Sequence, residues 1–216
     1  MISRCEVPNT VCLALTGASG MPYGIRLLEC LLAAGCRVQL LYSQVAQIVA
    51  RQEMGLELPA RASETGDYLR ATYAALPGKL DVYGREEWFA PLASGSNPPD
   101  AMVVCPCTMG RLAAIAQGLA SNLIERAADV VLKEGRKLIL VPRETPLSAI
   151  HLENMLRLAR AALGHRAPPN CPGGKLNSVR RKQKGRPAYR RAALSSLIGE
   201  RLYAASAAAS AGRRIR

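Results

Sequence analysis

The sequence predicts an α/β protein whose parallel sheet is covered by helices on both faces. Short apolar runs alternate along the chain with longer segments in which apolar residues recur at helical spacing. The runs are continuous rather than alternating, which is typical of strands buried on both faces. A length of 216 residues and a hydrophobic content of 49% suit one such core. These observations favour a three-layer sandwich with a mostly parallel sheet.

Two strand–helix units are predicted in the first quarter of the chain. Val11–Leu15 is an apolar run that ends in a glycine-rich turn. A helix is predicted to begin at Tyr23, because four leucines between positions 27 and 32 share one helical face. Arg37–Tyr42 is the second strand. Ser43 follows it directly and is predicted to cap the next helix, since its hydroxyl can accept from a free backbone N–H.

The later elements follow the same alternation. They are a helix around Asp67–Ala75, a strand at Lys79–Tyr83, a loop rich in Gly, Pro and Ser at Gly84–Pro99, a strand at Ala101–Cys105 that Pro106 breaks, a helix from Thr108, a helix over Ser121–Glu134, a strand at Lys137–Val141 that Pro142 stops, and a helix that Ser148 caps.

The turn Thr16–Gly20 is a candidate anion site. A buried strand, a tight turn and a helix N-terminus bring unpaired backbone N–H groups and the positive end of the helix dipole to one place. Gly17 and Gly20 allow the backbone to approach a phosphate, and Ser19 adds a hydroxyl donor. The turn matches neither the dinucleotide nor the nucleoside triphosphate glycine motif, so neither of those assignments is favoured. A plain strand-to-helix turn is the alternative interpretation.

Four polar segments fall where predicted strands end. They are Thr16–Gly20, Ser43, Thr108–Arg111 and the pair Arg143 and Glu144. Ligands of parallel α/β sheets bind beyond the carboxyl ends of the strands. This convergence favours a ligand site at that edge.

Charge and cysteine patterns narrow the class of protein. Residues 1–163 carry 16 Lys and Arg against 15 Asp and Glu, whereas residues 164–216 carry 13 against one. The nearly neutral body needs no polyanionic partner, so nucleic acid is not expected. The seven cysteines follow no metal-finger or disulfide spacing. No run is long enough to span a membrane and no leader is recognised, so a cytoplasmic protein with no membrane partner is expected.

Five motifs in order give the chain a family resemblance. The chain resembles UbiX-type flavin prenyltransferases over roughly residues 10–163 in the motifs TGASGMPYGIRLL, APLASGS, CPCTMGRLAAIA, NLIERAADVV and PRETPLSAIHLENM, the last two within one stretch over residues 122–155. The resemblance implies a flavodoxin-like, Rossmann-type subunit that binds FMN. It also implies transfer of a dimethylallyl group from dimethylallyl monophosphate to flavin N5 and C6, with a UbiD-type decarboxylase receiving the product. Members usually assemble as a homo-oligomer, a dodecamer with sites at subunit interfaces.

The same resemblance assigns candidate site residues. Those expected to contact FMN are Gly17, Ala18, Ser19, Ser43, Thr108, Met109, Gly110, Arg111 and Arg126. Those expected to act in catalysis are Ser19, Glu53, Trp88, Lys133, Arg143 and Glu144. Family members commonly carry Ser or Thr where this chain has Arg111.

These residue types suit a metal-free prenyl transfer. Departure of phosphate leaves negative charge, which Lys133, Arg143 and the Ser19 hydroxyl can neutralise in the absence of an Asp-rich cluster. Glu144 can protonate the phosphate, and Glu53 can help remove a proton from the flavin. Trp88 can stabilise allylic cation character through its aromatic face.

Each candidate also has a simpler interpretation. Glu53 and Lys133 are charges on helices, which are ordinarily solvated. Arg126, Asp129 and Lys133 have the spacing of a surface ion-pair ladder. Trp88 in a long loop fits an oligomer contact as well as a prenyl pocket.

The last quarter departs from the family pattern. After Leu163 the expected apolar strand and a loop with a phosphate-binding Tyr are missing, and residues 164–216 form a separate basic segment. Two explanations stay open: translation in a shifted reading frame, and an authentic basic tail. The missing strand is expected to weaken assembly. Two functional alternatives follow: an FMN-binding protein without transferase activity, and a related flavoprotein decarboxylase.

Overall fold

A computed structural model describes residues 8–164 of the chain. Its strands are β1 (Thr10–Leu15), β2 (Arg37–Tyr42), β3 (Lys79–Tyr83), β4 (Ala101–Cys107) and β5 (Lys137–Pro142). Its helices are α1 (Met21–Ala33), α2 (Gln44–Met54), α3 (Ala62–Thr72), α4 (Met109–Ala116), α5 (Leu123–Lys133) and α6 (Ala149–Gly164), with a 3₁₀ turn at Pro91–Ala93. The strands form one sheet in the order β3-β2-β1-β4-β5, and every neighbouring pair is parallel. The predicted α/β class is confirmed.

Two apolar cores lie on opposite faces of the sheet, as expected for strands buried on both sides. Helices α1, α2 and α3 contribute Leu28, Ala46 and Leu69 to one core. Helices α4, α5 and α6 cover the other face, where α4 contributes Leu112 and α6 contributes Leu158. Neighbouring residues of each strand divide between the cores because strand side chains alternate in direction. The fold is therefore a three-layer sandwich.

Several predicted boundaries are wrong by a few residues. Strand β4 does not end at Cys105: it continues through Pro106 to Cys107, with an irregular register between Val104 and Cys107. Helix α1 begins at Met21 rather than Tyr23, and the third helix is Ala62–Thr72 rather than Asp67–Ala75.

The helix caps follow from local side-chain chemistry. Thr108 is the N-cap of α4 and not its first residue, and its hydroxyl accepts from the backbone N–H of Arg111. Helix α5 begins at Leu123 rather than Ser121, and Asn122 caps it. Ser43 caps α2 as predicted, since the N–H of Ala46 donates to its Oγ at 3.2 Å. Ser148 accepts from the N–H of His151 at 3.3 Å, which confirms the predicted cap of α6.

The strand order creates a crevice between β1 and β4. From β1 the chain moves outward through β2 to β3, and then returns to β4 on the other side of β1. The loops that leave β1 and β4 therefore run in opposite directions at the carboxyl edge of the sheet, which is where ligands of such folds bind. Thr16 joins the two loops, because its Oγ1 donates to the Pro106 carbonyl at 2.7 Å and accepts from the Thr108 N–H at 2.9 Å.

Two predictions depend on residues that the structure does not describe. The basic segment over 164–216 lies outside the described residues apart from Gly164, which ends α6. The division of the chain at residue 163 stays a prediction. Within residues 8–164, no helix is both long and apolar enough to cross a membrane.

Candidate active site

Three glycines shape the first loop of the crevice. Gly20 has a φ of 107°, a left-handed conformation that side chains rarely adopt. A Cβ added at Gly17 would overlap Val45 of α2, and one added at Gly24 would overlap the backbone carbonyl of Cys105 in β4. Gly17 and Gly24 therefore let the loop and α1 pack directly on α2 and on the sheet. The turn is built for close packing as well as for ligand approach.

Free backbone donors line this crevice. The N–H groups of Gly17, Ala18 and Ser19 donate to no group among residues 8–164. The first N–H groups of α4, on Met109 and Gly110, have no intrahelical acceptor because they lie in its first turn. Such donors fit the phosphate and hydroxyl oxygens of a ligand. All five residues were predicted from the sequence to contact FMN.

Glu53 occupies the N-terminus of α1. Its Oε2 accepts from the N–H of Met21 at 2.8 Å, and its two oxygens accept from the N–H of Gly20 at 3.0 and 3.1 Å. The Ser19 hydroxyl acts on the same carboxylate and lowers its pKa. The N–H groups of Gly20 and Met21 are therefore already engaged within the chain. The chain's own carboxylate fills that place, and an external anion is left with the loop N–H groups.

The Glu53 carboxylate is held in its charged form. Partial burial pushes the pKa of Glu53 upward, but the hydrogen bonds from Ser19, Gly20 and Met21 and the positive charge of Arg143 outweigh it. The pKa is therefore lowered from its ordinary value of 4.5. Ser19, Glu53 and Arg143, which come from three separate motifs, thus act on one another at the carboxyl edge. A deprotonated carboxylate can accept a proton there.

This lowered pKa predicts a pH-dependent contribution to stability. The contribution is present above the unfolded-state pKa of Glu53 and is lost as the pH falls through its lower folded-state pKa. We expect Glu53→Gln to unfold more easily than the parent at pH 7, by about 0.3–1 kcal/mol, because an anion at a helix N-terminus is lost.

Thermal melts from pH 7 down to pH 3 measure this difference, and it should shrink as the pH falls. The matched control is Glu57→Gln, because Glu57 makes only an exposed ion pair with Arg51 at 3.3 Å. A difference between parent and Glu53→Gln that stays constant with pH contradicts the assignment.

Arg143 and Glu144 lie directly beyond β5. The backbone N–H of Arg143 donates to the Cys107 carbonyl at 3.4 Å, which places it beside the end of β4. Both side chains are exposed, and Arg143 forms no ion pair with any described acid. An Oε1 of Glu144 accepts from the N–H of Thr145 at 3.2 Å. The Arg143 guanidinium is available to a phosphate.

Arg111 and Glu125 form a buried ion pair that sequence reasoning missed. Glu125 is buried, and its Oε2 also accepts from the N–H of Ser121 at 2.7 Å. The pair joins the first turns of α4 and α5. Only the unusual charge of Arg111 in an otherwise apolar segment signalled it in the sequence, because Glu125 lies 14 residues away on another helix.

The remaining predicted residues have local roles within one chain. Ser43 is buried and caps α2. The Arg126 Nε donates to the Ala93 carbonyl at 3.0 Å, and its guanidinium pairs with Asp129 at 2.9 Å. The predicted ion-pair ladder stops there, since Lys133 pairs with Glu134 at 3.3 Å. Trp88 is exposed in the loop after β3, beside a fully exposed Phe89.

Lys133 lies at the opposite edge of the sheet. It ends α5, shortly before β5 begins, whereas Arg143 follows the end of β5. Six strand residues span about 20 Å, so Lys133 and Arg143 of one chain cannot contact the same phosphate.

Among the described residues, no group of three or more His, Cys, Asp or Glu side chains is placed to hold a metal ion.

Comparison with known proteins places this geometry in a family. The model of the Flavoprotein family matches residues 2–177. The flavin prenyltransferase UbiX of Pseudomonas aeruginosa is 50% identical over 166 residues, which cover 77% of this chain and 78% of that protein. The chain belongs to the UbiX flavin prenyltransferase family.

Solved UbiX-like structures share the fold. AnUbiX, crystallised in complex with FMN and dimethylallyl pyrophosphate, matches with a TM-score of 0.61 and 37% identity over 72% of this chain and 75% of its own. A dodecameric FMN-dependent UbiX-like decarboxylase from Escherichia coli O157:H7 matches with a TM-score of 0.59 and 41% identity over 70% of this chain and 75% of its own. The family predicted from the five motifs is confirmed.

Proposed function

We propose that this chain is a flavin prenyltransferase. It joins the dimethylallyl group of dimethylallyl monophosphate to N5 and C6 of reduced FMN, without a metal ion. The observation that carries the proposal is the cluster of Ser19, Glu53 and Arg143 beside free backbone donors at the β1–β4 crevice, in a chain of the UbiX family. An acid, a hydroxyl and an exposed guanidinium are the groups that phosphate departure and proton removal need.

The crevice fits FMN. The free N–H groups of residues 17–19 and the first turn of α4 suit its phosphate and ribityl oxygens, and the orphaned Nε of Arg111 supplies a buried donor. Ser43 and Thr108 border the same edge, and Arg126 is proposed to add a positive charge. When bound, reduced FMN supplies the nucleophile.

The chain's own residues then act on the phosphate and the protons. Arg143 and Ser19 bind the allylic phosphate and stabilise its negative charge as the carbon–oxygen bond breaks. Glu144 donates a proton to the departing phosphate, and Glu53 accepts the proton that N5 loses as the nitrogen–carbon bond replaces the carbon–oxygen bond. Forming the second bond, at C6, adds one proton to the prenyl double bond and releases one from C6, so it needs no net acid or base. Trp88 lines the prenyl pocket and excludes water from the allylic group.

A second copy of the chain supplies Lys133 to the site. Within one subunit, strand β5 separates Lys133 from Arg143, and six strand residues span about 20 Å. It reaches the phosphate only if another copy brings the end of its α5 to the carboxyl edge. Exposed Trp88 and Phe89 offer apolar surface for such an assembly. We propose a homo-oligomer, of which the dodecamer expected for the family is one form.

Mixing two inactive variants tests this shared site. Ser19→Ala and Lys133→Ala should each lose prenyl transfer, and subunits mixed in equal amounts should regain about a quarter of the parent activity, because one interface in four then combines both intact residues. The matched control mixes Ser19→Ala with Arg143→Ala, which lie in one subunit's cluster and should not rescue each other. Failure of the first mixture, with mixed oligomers present, excludes a shared site.

The product is proposed to serve a UbiD-type decarboxylase in the cytoplasm, with ubiquinone biosynthesis as the pathway. To test this proposal, an apo-decarboxylase of the UbiD type is incubated with this chain, reduced FMN and dimethylallyl monophosphate, and its activity is measured. Activation supports the proposal. Tight FMN binding without activation favours the alternative of a flavin-binding protein that transfers no prenyl group, whereas direct release of CO₂ from an acid substrate favours a decarboxylase.

A further inference from the structure

The ion pair of Arg111 and Glu125 is unusual because it is largely withdrawn from solvent. The Arg111 side chain is 19% exposed and that of Glu125 is 6% exposed. Glu125 is satisfied on both sides, by the Arg111 guanidinium on one oxygen and by the Ser121 N–H on the other. It also lies in the first turn of α5, where the helix dipole favours a negative charge. Glu125 is therefore a firm anchor for Arg111.

Arg111 is not fully satisfied. Its Nε is buried and has no hydrogen-bond partner among residues 8–164. A buried donor without an acceptor is costly, so such groups usually meet a ligand, a water molecule or another chain. The guanidinium is planar and rigid, so anchoring it through one amino group fixes the direction of the Nε–H bond.

The position of Arg111 decides which acceptor is available. It lies in the first turn of α4, which Thr108 caps and which Thr16 holds against the β1 loop. This turn borders the crevice whose free N–H groups fit FMN. Because Glu125 neutralises the arginine, the pair adds a directed donor to the crevice and no net charge.

We propose that the Nε of Arg111 donates to an oxygen of FMN and that Glu125 is the positioning residue that holds the guanidinium for this contact. The inference rests on the proposed binding of FMN. It assigns to Glu125 a function that the family resemblance did not assign. A shorter side chain such as Thr at position 111 would reach neither Glu125 nor the same acceptor.

Titrations of FMN by flavin fluorescence test the proposal without requiring turnover. Arg111→Lys keeps the charge and can still pair with Glu125, but it lacks Nε. We expect it to weaken FMN binding at least about tenfold, equal to about 1.4 kcal/mol. Glu125→Gln should weaken binding similarly. In the Arg111→Lys background, Glu125→Gln should cause no further loss, since Glu125 acts through Arg111.

Controls separate positioning from folding. Arg157→Lys is the matched control, because Arg157 of α6 donates to the side chain of Gln117 at 2.8 Å in an exposed contact at the C-terminal end of α4. It should bind FMN like the parent. Melting temperatures of all variants report stability separately.

Unchanged FMN affinity in Arg111→Lys overturns the inference, and so does tighter binding in Glu125→Gln, which would mean that Glu125 only cancels charge. The inference is also overturned if Arg111→Lys and Glu125→Gln are less stable than the parent but their folded fraction binds FMN with the parent's affinity. A parent protein that binds no FMN refutes the proposed function itself.

Discussion

Replacing Arg143 with alanine is expected to slow prenyl transfer by about 10²–10³-fold, the loss typical when one charged donor to a developing anion is removed. Arg143 is exposed at the end of β5 and forms no ion pair with a described acid, so its charge is available to the allylic phosphate. It also stabilises the charged form of Glu53. Arg143→Lys should recover part of the rate, because a point charge replaces a bidentate donor.

Single-turnover transfer at saturating FMN measures this effect. The matched control is Arg136→Ala, since Arg136 pairs with Asp100 at 3.5 Å at the opposite edge of the sheet. FMN affinity should be nearly unchanged in both variants. If Arg143→Ala transfers the prenyl group within about threefold of the parent rate, Arg143 does not stabilise the leaving group.

Gly24→Val is expected to prevent stable folding. An added Cβ would overlap the Cys105 carbonyl of β4 and lie 2.7 Å from Cδ2 of Leu15. Neither group can move easily, because one is strand backbone and the other belongs to a fully buried side chain. Overpacking of this kind costs about 1–3 kcal/mol for small additions, and valine adds two further methyl groups. Alanine at position 24 should already lower the melting temperature by several degrees.

Gly110→Ala is the matched control for stability. Gly110 also lies in a helix, but an added Cβ there meets nothing within 4 Å. Its melting temperature should equal or exceed that of the parent, because alanine favours helix more than glycine does. Parental stability of Gly24→Val would show that α1 does not pack on β4 as described.

The strands were the most predictable part of the molecule. The bounds of β2 and β3 follow directly from their short runs of strand-forming residues. The prediction for β4 was wrong because it took Pro106 as the end of the strand. A proline lacks a backbone N–H donor but keeps its carbonyl acceptor. Its carbonyl still accepts from Thr16, so the chain continues in strand conformation to Cys107.

Contacts between distant segments were less predictable. The position of Glu53 on the N-terminus of α1 depends on how α2 packs beside the loop, and no local pattern encodes that. The pair of Arg111 and Glu125 depends on the approach of two helix ends. Lys133 and Arg143 are close in sequence, but they lie at opposite ends of β5. Two residues that come from neighbouring family motifs therefore need not belong to the same site of one chain.

The most direct test of the account is the mass of the flavin after reaction. The purified full chain is incubated anaerobically with reduced FMN and dimethylallyl monophosphate, and the extracted flavin is weighed by mass spectrometry. We expect FMN that has gained one dimethylallyl unit, with no added metal and with Arg143→Ala nearly inactive over the same time. Bound FMN of unchanged mass, from protein that is folded and saturated with both substrates, would contradict it.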